Sequence, residues 1–134
     1  MRHREHDEQV LFFRCLAILE GYGVEQAGLT FAVPNGARLV SVRHAKRMVM
    51  EGLRGGVPDI ICPIAVGEHI GLAIEMKIPP NKSTVKQKRW QADLRRYRWR
   101  VEECHDGIEA LKVWVEYHGL TPQQVRPLSE WIDG

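Results

Sequence analysis

Pro58-Asp59 and Glu75-Met76-Lys77 hold the residues of this chain best suited to chemistry. Between them lie the β-branched run 60–66, the turn-forming Gly67-Glu68-His69 and the apolar Gly71-Leu72-Ala73-Ile74. This order predicts a β-hairpin. Side chains alternate between faces along a strand. Leu72, Ile74 and Met76 therefore share a side fit for a core, and Ala73, Glu75 and Lys77 share the other. A three-residue loop would pair Val66 with Ile70 and set Asp59 opposite Lys77. Asp59 then lies diagonally across from Glu75 on the same face, about 7–8 Å away at the backbone. A loop one residue longer would send Asp59 to the other face.

Two converging carboxylates suit Mg²⁺ or Mn²⁺, which prefer oxygen ligands. The carbonyl of Met76 is a further candidate ligand. A lysine beside them can hold a water or neutralise charge building on a phosphate. E-x-K alone is also the pattern of an ordinary ion pair on an exposed strand. Specificity comes from the longer arrangement: P-D, an apolar strand, then E-x-K at the end of the next strand.

That arrangement resembles the PD-(D/E)xK nuclease superfamily, and its surroundings resemble the VRR-NUC branch. The residues that carry the likeness are Glu8-Gln9, Pro34-Asn35-Gly36, Gly55-Gly56-Val57-Pro58-Asp59, Glu75-Met76-Lys77, and Ser83 with Gln87 and Trp90. They span residues 5–117. The resemblance implies a restriction-endonuclease-like α/β core, a small mixed sheet flanked by helices. It implies a metal-dependent nuclease with motif positions on Glu8, Asp59, Glu75, Lys77 and Gln87. Glu8, Asp59, Glu75 and Met76 would hold the metal. One departure is Arg98-Trp99, where many members have a Gly-aromatic turn. Small stand-alone members are similar to Holliday-junction resolvases, homodimers that cut branched DNA. The leading expectation is therefore a Mg²⁺- or Mn²⁺-dependent endodeoxyribonuclease selective for four-way junctions. A general or flap-specific nicking endonuclease stands second. A DNA-binding module of a larger complex is the non-enzymatic alternative.

Composition bounds these readings. With 134 residues and 44% hydrophobic content, the chain is long enough for one domain with a real core. We expect a nuclease domain over residues 1–134, its core over 5–118 and a tail over 119–134. Net charge is only +2, so bulk charge announces no nucleic-acid binder. Its distribution is more informative. Lys82, Lys86, Lys88, Arg89, Arg95, Arg96, Arg98 and Arg100 face a single acid, Asp93, within residues 82–100. Arg38, Arg43, Lys46, Arg47 and Arg54 form a second basic stretch. Such stretches suit a phosphate-binding face or a solvated helix surface. The candidate DNA contacts are Asn35, Arg43, Lys46, Lys82, Lys86, Lys88, Arg95 and Arg96. Cys15, Cys62 and Cys104 are too widely spaced for a zinc site, and Cys15 and Cys62 read as buried thiols. The N-terminus is polar and no long apolar run occurs, so a cytoplasmic protein without a membrane segment is expected.

Helices must position these residues. Apolar spacing predicts one over 8–20, capped by Asp7, with Leu11, Phe12, Cys15, Leu16 and Leu19 inward. Glu8 in its first turn also suits the helix dipole, and Glu5 is its rival as a third carboxylate. A strand follows over 29–33, and a second helix over 39–51 with Val42, Ala45, Val49 and Leu53 on one side. Ser83 or Thr84 caps a third helix through residue 97, with Trp90, Leu94 and Tyr97 spaced for the core. Thr84 and Gln87 have capping-box spacing. Gln87 thus has two competing uses, a cap or a contact with Lys77 or a phosphate. A strand over 99–104 and a helix over 106–118 complete the core. In the final segment Trp131 and Ile132 either fold back or meet a second copy of the chain, together with Trp114 and Tyr117.

Overall fold

The computed structural model describes residues 2–34 and 41–133. Its elements are α1 (Arg2–Gly21), α2 (Glu25–Gly28), β1 (Phe31–Ala32), α3 (Val42–Met50), β2 (Ile60–Cys62), β3 (Gly71–Met76), α4 (Val85–Arg96), β4 (Trp99–Cys104), α5 (Gly107–His118), a 3-10 turn (Arg126–Leu128) and α6 (Ser129–Ile132). The strands form one mixed sheet in the order β1-β2-β3-β4. β1–β2 and β2–β3 are antiparallel, whereas β3–β4 is parallel, with α4 as the crossover.

β3 lies inside the sheet, and all six of its residues are buried. Leu72, Ile74 and Met76 join Phe12, Leu16 and Leu19 of α1 and Leu111 and Trp114 of α5 in one core cluster. The opposite face carries Ala73 and Glu75, in register with Val101 and Glu103 of β4. α4 covers that face: its Arg95 guanidinium donates to the Val101 carbonyl, and Gln91 is buried.

The caps at two helix starts follow the sequence. The Thr84 hydroxyl accepts from Gln87 N, and the Asp106 carboxylate accepts from Glu109 N. α5 stops at Gly119, whose φ of 61° is the left-handed conformation that suits glycine. Asp7, by contrast, lies inside α1, which starts earlier than its apolar spacing suggests. The strand expected over 29–33 is confined to Phe31–Ala32.

Residues 60–66 do not form one strand. β2 ends at Cys62 because Pro63 offers no N–H to a ladder. Val66 then bridges His69, not Ile70, around Gly67. The β2–β3 register pairs Ile60 with Ile74 and Cys62 with Leu72. Continued by one residue, it sets Asp59 opposite Glu75, two residues from the expected partner Lys77. A two-residue shift preserves the face, so Asp59 and Glu75 still converge.

The final segment belongs to the core, which therefore extends past residue 118. Leu128 is fully buried, and Ile132 packs on the cluster. Trp114 is fully buried with its indole N–H on Thr30 Oγ1, and the Tyr117 hydroxyl donates to the Ile64 carbonyl. Neither is available to a second copy. α3 has no buried residue, and of the residues expected on one side Val42 and Val49 are exposed.

Arg98 links α4 to β4 at φ 73°, a left-handed conformation, at the position where the resemblance anticipates glycine. Arg98→Gly should raise stability by about 0.5–1 kcal/mol, the left-handed penalty of an L side chain less the extra unfolded-state entropy of glycine. A higher urea midpoint would check this.

Candidate metal centre

The site lies where β3 ends. Pro58 and Asp59 enter β2 as a buried pair, and Glu75 is the penultimate residue of β3. The Asp59 backbone carbonyl accepts from Val33 N at 2.8 Å, which ties the segment to the end of β1. Asp59 Oδ2 accepts the Met76 N–H at 2.8 Å. One aspartate oxygen is thereby fixed against the backbone of β3, beside Glu75. Met76 enters this geometry through its N–H, while its side chain fills the core.

Glu75 is 1% exposed, and its Oε1 has no hydrogen-bond partner. Burial pushes its carboxyl up to about 10, helped by a hydrogen bond with Asp59 and by the charge of Asp59. Lys77 acts in the opposite direction and Glu5 in the same one. Without a cation, the Asp59–Glu75 pair therefore retains a proton that two separate carboxylates would lose. Lys77 is half-buried, with its backbone N–H on the Cys104 carbonyl.

The N-terminal carboxylate whose charge acts on Glu75 is thus Glu5. Glu8 has another engagement: its Oε1 accepts from Gly107 N at 2.8 Å, at the start of α5. There it meets a helix N-terminus, where a carboxylate is favoured. Gln9, one turn beyond Glu5, is also buried with its Oε1 unpartnered.

Gln87 completes the capping box, and its Oε1 accepts from Thr84 N at 2.8 Å. The glutamine buried beneath α4 is Gln91. Its amide donates to Ser83 Oγ, which donates in turn to Glu103 Oε2 at 2.6 Å. Glu103 is the register partner of Glu75. Sequence reasoning placed the strand of Glu103 but not its alignment with Glu75. The available signal was the shared alternation of the two strands.

The basic residues divide into two groups. Arg95 is held at Val101, and Arg96 pairs with Asp93 at 3.2 Å and lies over the Tyr97 ring. Both guanidiniums have partners within the fold, although both residues stay exposed. Lys82, Lys86 and Lys88 are exposed around α4, as are Arg43 and Lys46 on α3. Asn35 lies outside the described residues.

Among the described residues, no three His, Cys, Asp or Glu side chains form a ready metal-ligating cluster. The Asp59–Glu75 pair nevertheless fits a divalent cation. It offers hard oxygen donors, one of them buried without a partner, and an excess of negative charge that only a proton relieves.

The comparisons with known proteins agree with this architecture. A solved structure described as "VRR_NUC domain protein" matches with a TM-score of 0.67 at 19% identity, covering 87% of this chain and 89% of its own. At that identity the likeness speaks for the fold. No curated protein matches the sequence. The family model "VRR-NUC domain" matches residues 12–106, a span that holds Asp59, Glu75, Lys77 and Gln87. The chain belongs to the VRR-NUC domain family, within the PD-(D/E)xK nuclease superfamily.

Proposed function

We propose that the chain is a Mg²⁺- or Mn²⁺-dependent DNA endonuclease that hydrolyses phosphodiester bonds, with four-way junctions as its preferred substrate. The observation that carries this reading is the buried Glu75 carboxylate, one oxygen unpartnered, set against Asp59 with Lys77 next on the same face. Asp59 and Glu75 hold the cation, and Glu5 takes the role of third carboxylate in place of Glu8. When bound, the ion supplies charge neutralisation and Lewis acidity toward the phosphodiester. The Met76 N–H fixes the Asp59 carboxylate. Lys77 holds an ammonium where negative charge grows on the phosphate and orients the attacking water. Gln87 is a cap in this account, and the Ser83–Gln91 pair steadies Glu103.

DNA approaches the basic residues of α3 and α4. Arg43 and Lys46 on α3 are exposed and carry no structural duty in the core. Changing both to Ala should weaken DNA binding and flatten the log–log dependence on salt by about 0.9 per lost phosphate contact. An unchanged slope would place the DNA elsewhere.

Junction cleavage needs two symmetry-related cuts, hence a two-fold homodimer. Trp131, at 39% exposure, and the exposed Val42, Val49 and Met50 of α3 are among the apolar side chains left for it. The burial of Trp114 and Tyr117 favours a second reading, a monomeric endonuclease that nicks duplex or flapped DNA. Three free, buried cysteines support a reducing, cytoplasmic setting. No described helix is long and apolar enough to cross a membrane.

Purified protein with Mg²⁺ or Mn²⁺ should cut labelled four-way junctions faster than flaps, duplex or single strands. Light scattering should give a mass near twice 15.4 kDa. A monomer that nicks all substrates alike would leave the second reading. Binding without cleavage under any divalent ion would leave only a DNA-binding module.

A further inference from the structure

The outer side of α4 carries a groove of about 380 Å³ that the proposed chemistry does not use. Lys86, Arg89, Trp90, Asp93, Leu94 and Tyr97 line it. Trp90, Leu94 and Tyr97 have the spacing of core residues, yet none is buried, and Tyr97 is 66% exposed. The groove is aromatic and mostly apolar within, and cationic at its rim. Its one acid, Asp93, is paired with Arg96, which also lies 5.2 Å from the Tyr97 ring centre. One end of the groove abuts the loop that leads to the metal centre. A Cβ added to Gly56 would sit 3.0 Å from both Trp90 Cδ1 and Lys86 Cγ. Gly56 precedes Asp59 by three residues, a reach of about 10 Å along the chain.

We propose that this groove binds one unpaired nucleotide of the DNA strand, beside the phosphate to be cut. The base stacks on Trp90 and Tyr97, and its phosphate lies against Lys86 and Arg89. Every base has a π face that an aromatic side chain can accept, and the cationic rim matches the backbone charge. A base inside a duplex cannot reach the aromatic floor without leaving its stack. The groove therefore selects DNA that carries unpaired nucleotides, as at a branch or flap. Lys86 and Arg89 disfavour a purely apolar peptide in the same place. The inference rests on the nuclease reading for its substrate but not for its test.

The test is binding without added metal. Fluorescence anisotropy in EDTA compares a labelled single-stranded oligothymidylate with a blunt duplex. Tyr97→Ala should weaken single-strand binding about tenfold and leave duplex binding within about twofold, the loss of one base stack. Tyr97→Phe should bind like the parent. Tyr97 is largely exposed, so both variants should melt at the parental temperature. The proposal is overturned if the parent ignores the single strand, if Tyr97→Ala keeps full affinity, or if it loses both substrates equally. Selective loss in Tyr97→Ala would support the groove even if the parent never cleaves DNA. Cleavage by a parent that fails the binding test would keep the nuclease and remove the groove.

Discussion

Lys77→Ala is expected to slow DNA cleavage by about 10²–10³ while leaving the fold and the Mn²⁺ affinity near those of the parent. The magnitude is that of removing one preorganised charge from a transition state. The fold should survive because Lys77 contributes its backbone N–H, not its side chain, to the Cys104 carbonyl. The residue is half-buried at the end of β3, so truncation opens no core cavity. Its ammonium acts on Glu75, and that charge is what Ala removes. Single-turnover rates on labelled DNA at saturating Mn²⁺ measure the effect. Parental turnover would take Lys77 out of the chemistry.

The second large effect is on stability against pH in the metal-free protein. Burial and Asp59 push the Glu75 carboxyl from the ordinary 4.5 up to about 10. Between those values the folded state holds a proton that the unfolded chain has released. Stability from this group is fully present below about 4.5 and is lost as pH rises toward about 10. One such proton gives a slope of up to about 1.4 kcal/mol per pH unit. Urea titrations in EDTA should therefore show falling stability from pH 5 to pH 9, beyond what the other groups impose. Glu75→Gln should flatten that difference, and Mn²⁺ should flatten it in the parent. Identical slopes for parent and Glu75→Gln would mean that the carboxylate is not confined as described.

The convergence of Asp59 and Glu75 was legible because strand alternation fixes faces even when register slips. The expected partner of Asp59 was off by two residues, since Pro63 ends β2 early and the chain loops before Gly71. Parity survived that error and the side chains still met. The helix caps at Thr84 and Asp106 and the stop at Gly119 were legible for local reasons, in that each needs only neighbours in sequence. What depended on distant partners was not legible. Glu8 and Glu5 lie one turn apart, and only the docking of α1 on α5 decides which one meets Gly107. Gln87 and Gln91 both lie on α4, and only the sheet beneath decides which is buried. The apolar spacing of α3 gathers Val42, Ala45 and Val49 on one side, yet among the described residues none of α3 is buried. Leu128 sits beyond two prolines and gave no periodic signal, although it fills a core position.

The central claim is that the Asp59–Glu75 pair holds a divalent cation that serves DNA hydrolysis. The most direct measurement compares cleavage of a labelled four-way junction by the parent and by Glu75→Gln, each in Mn²⁺ and in EDTA. The account predicts product only from the parent in Mn²⁺, with Glu75→Gln folded but inactive. Cleavage that persists in EDTA, or Glu75→Gln cutting at the parental rate, would contradict it.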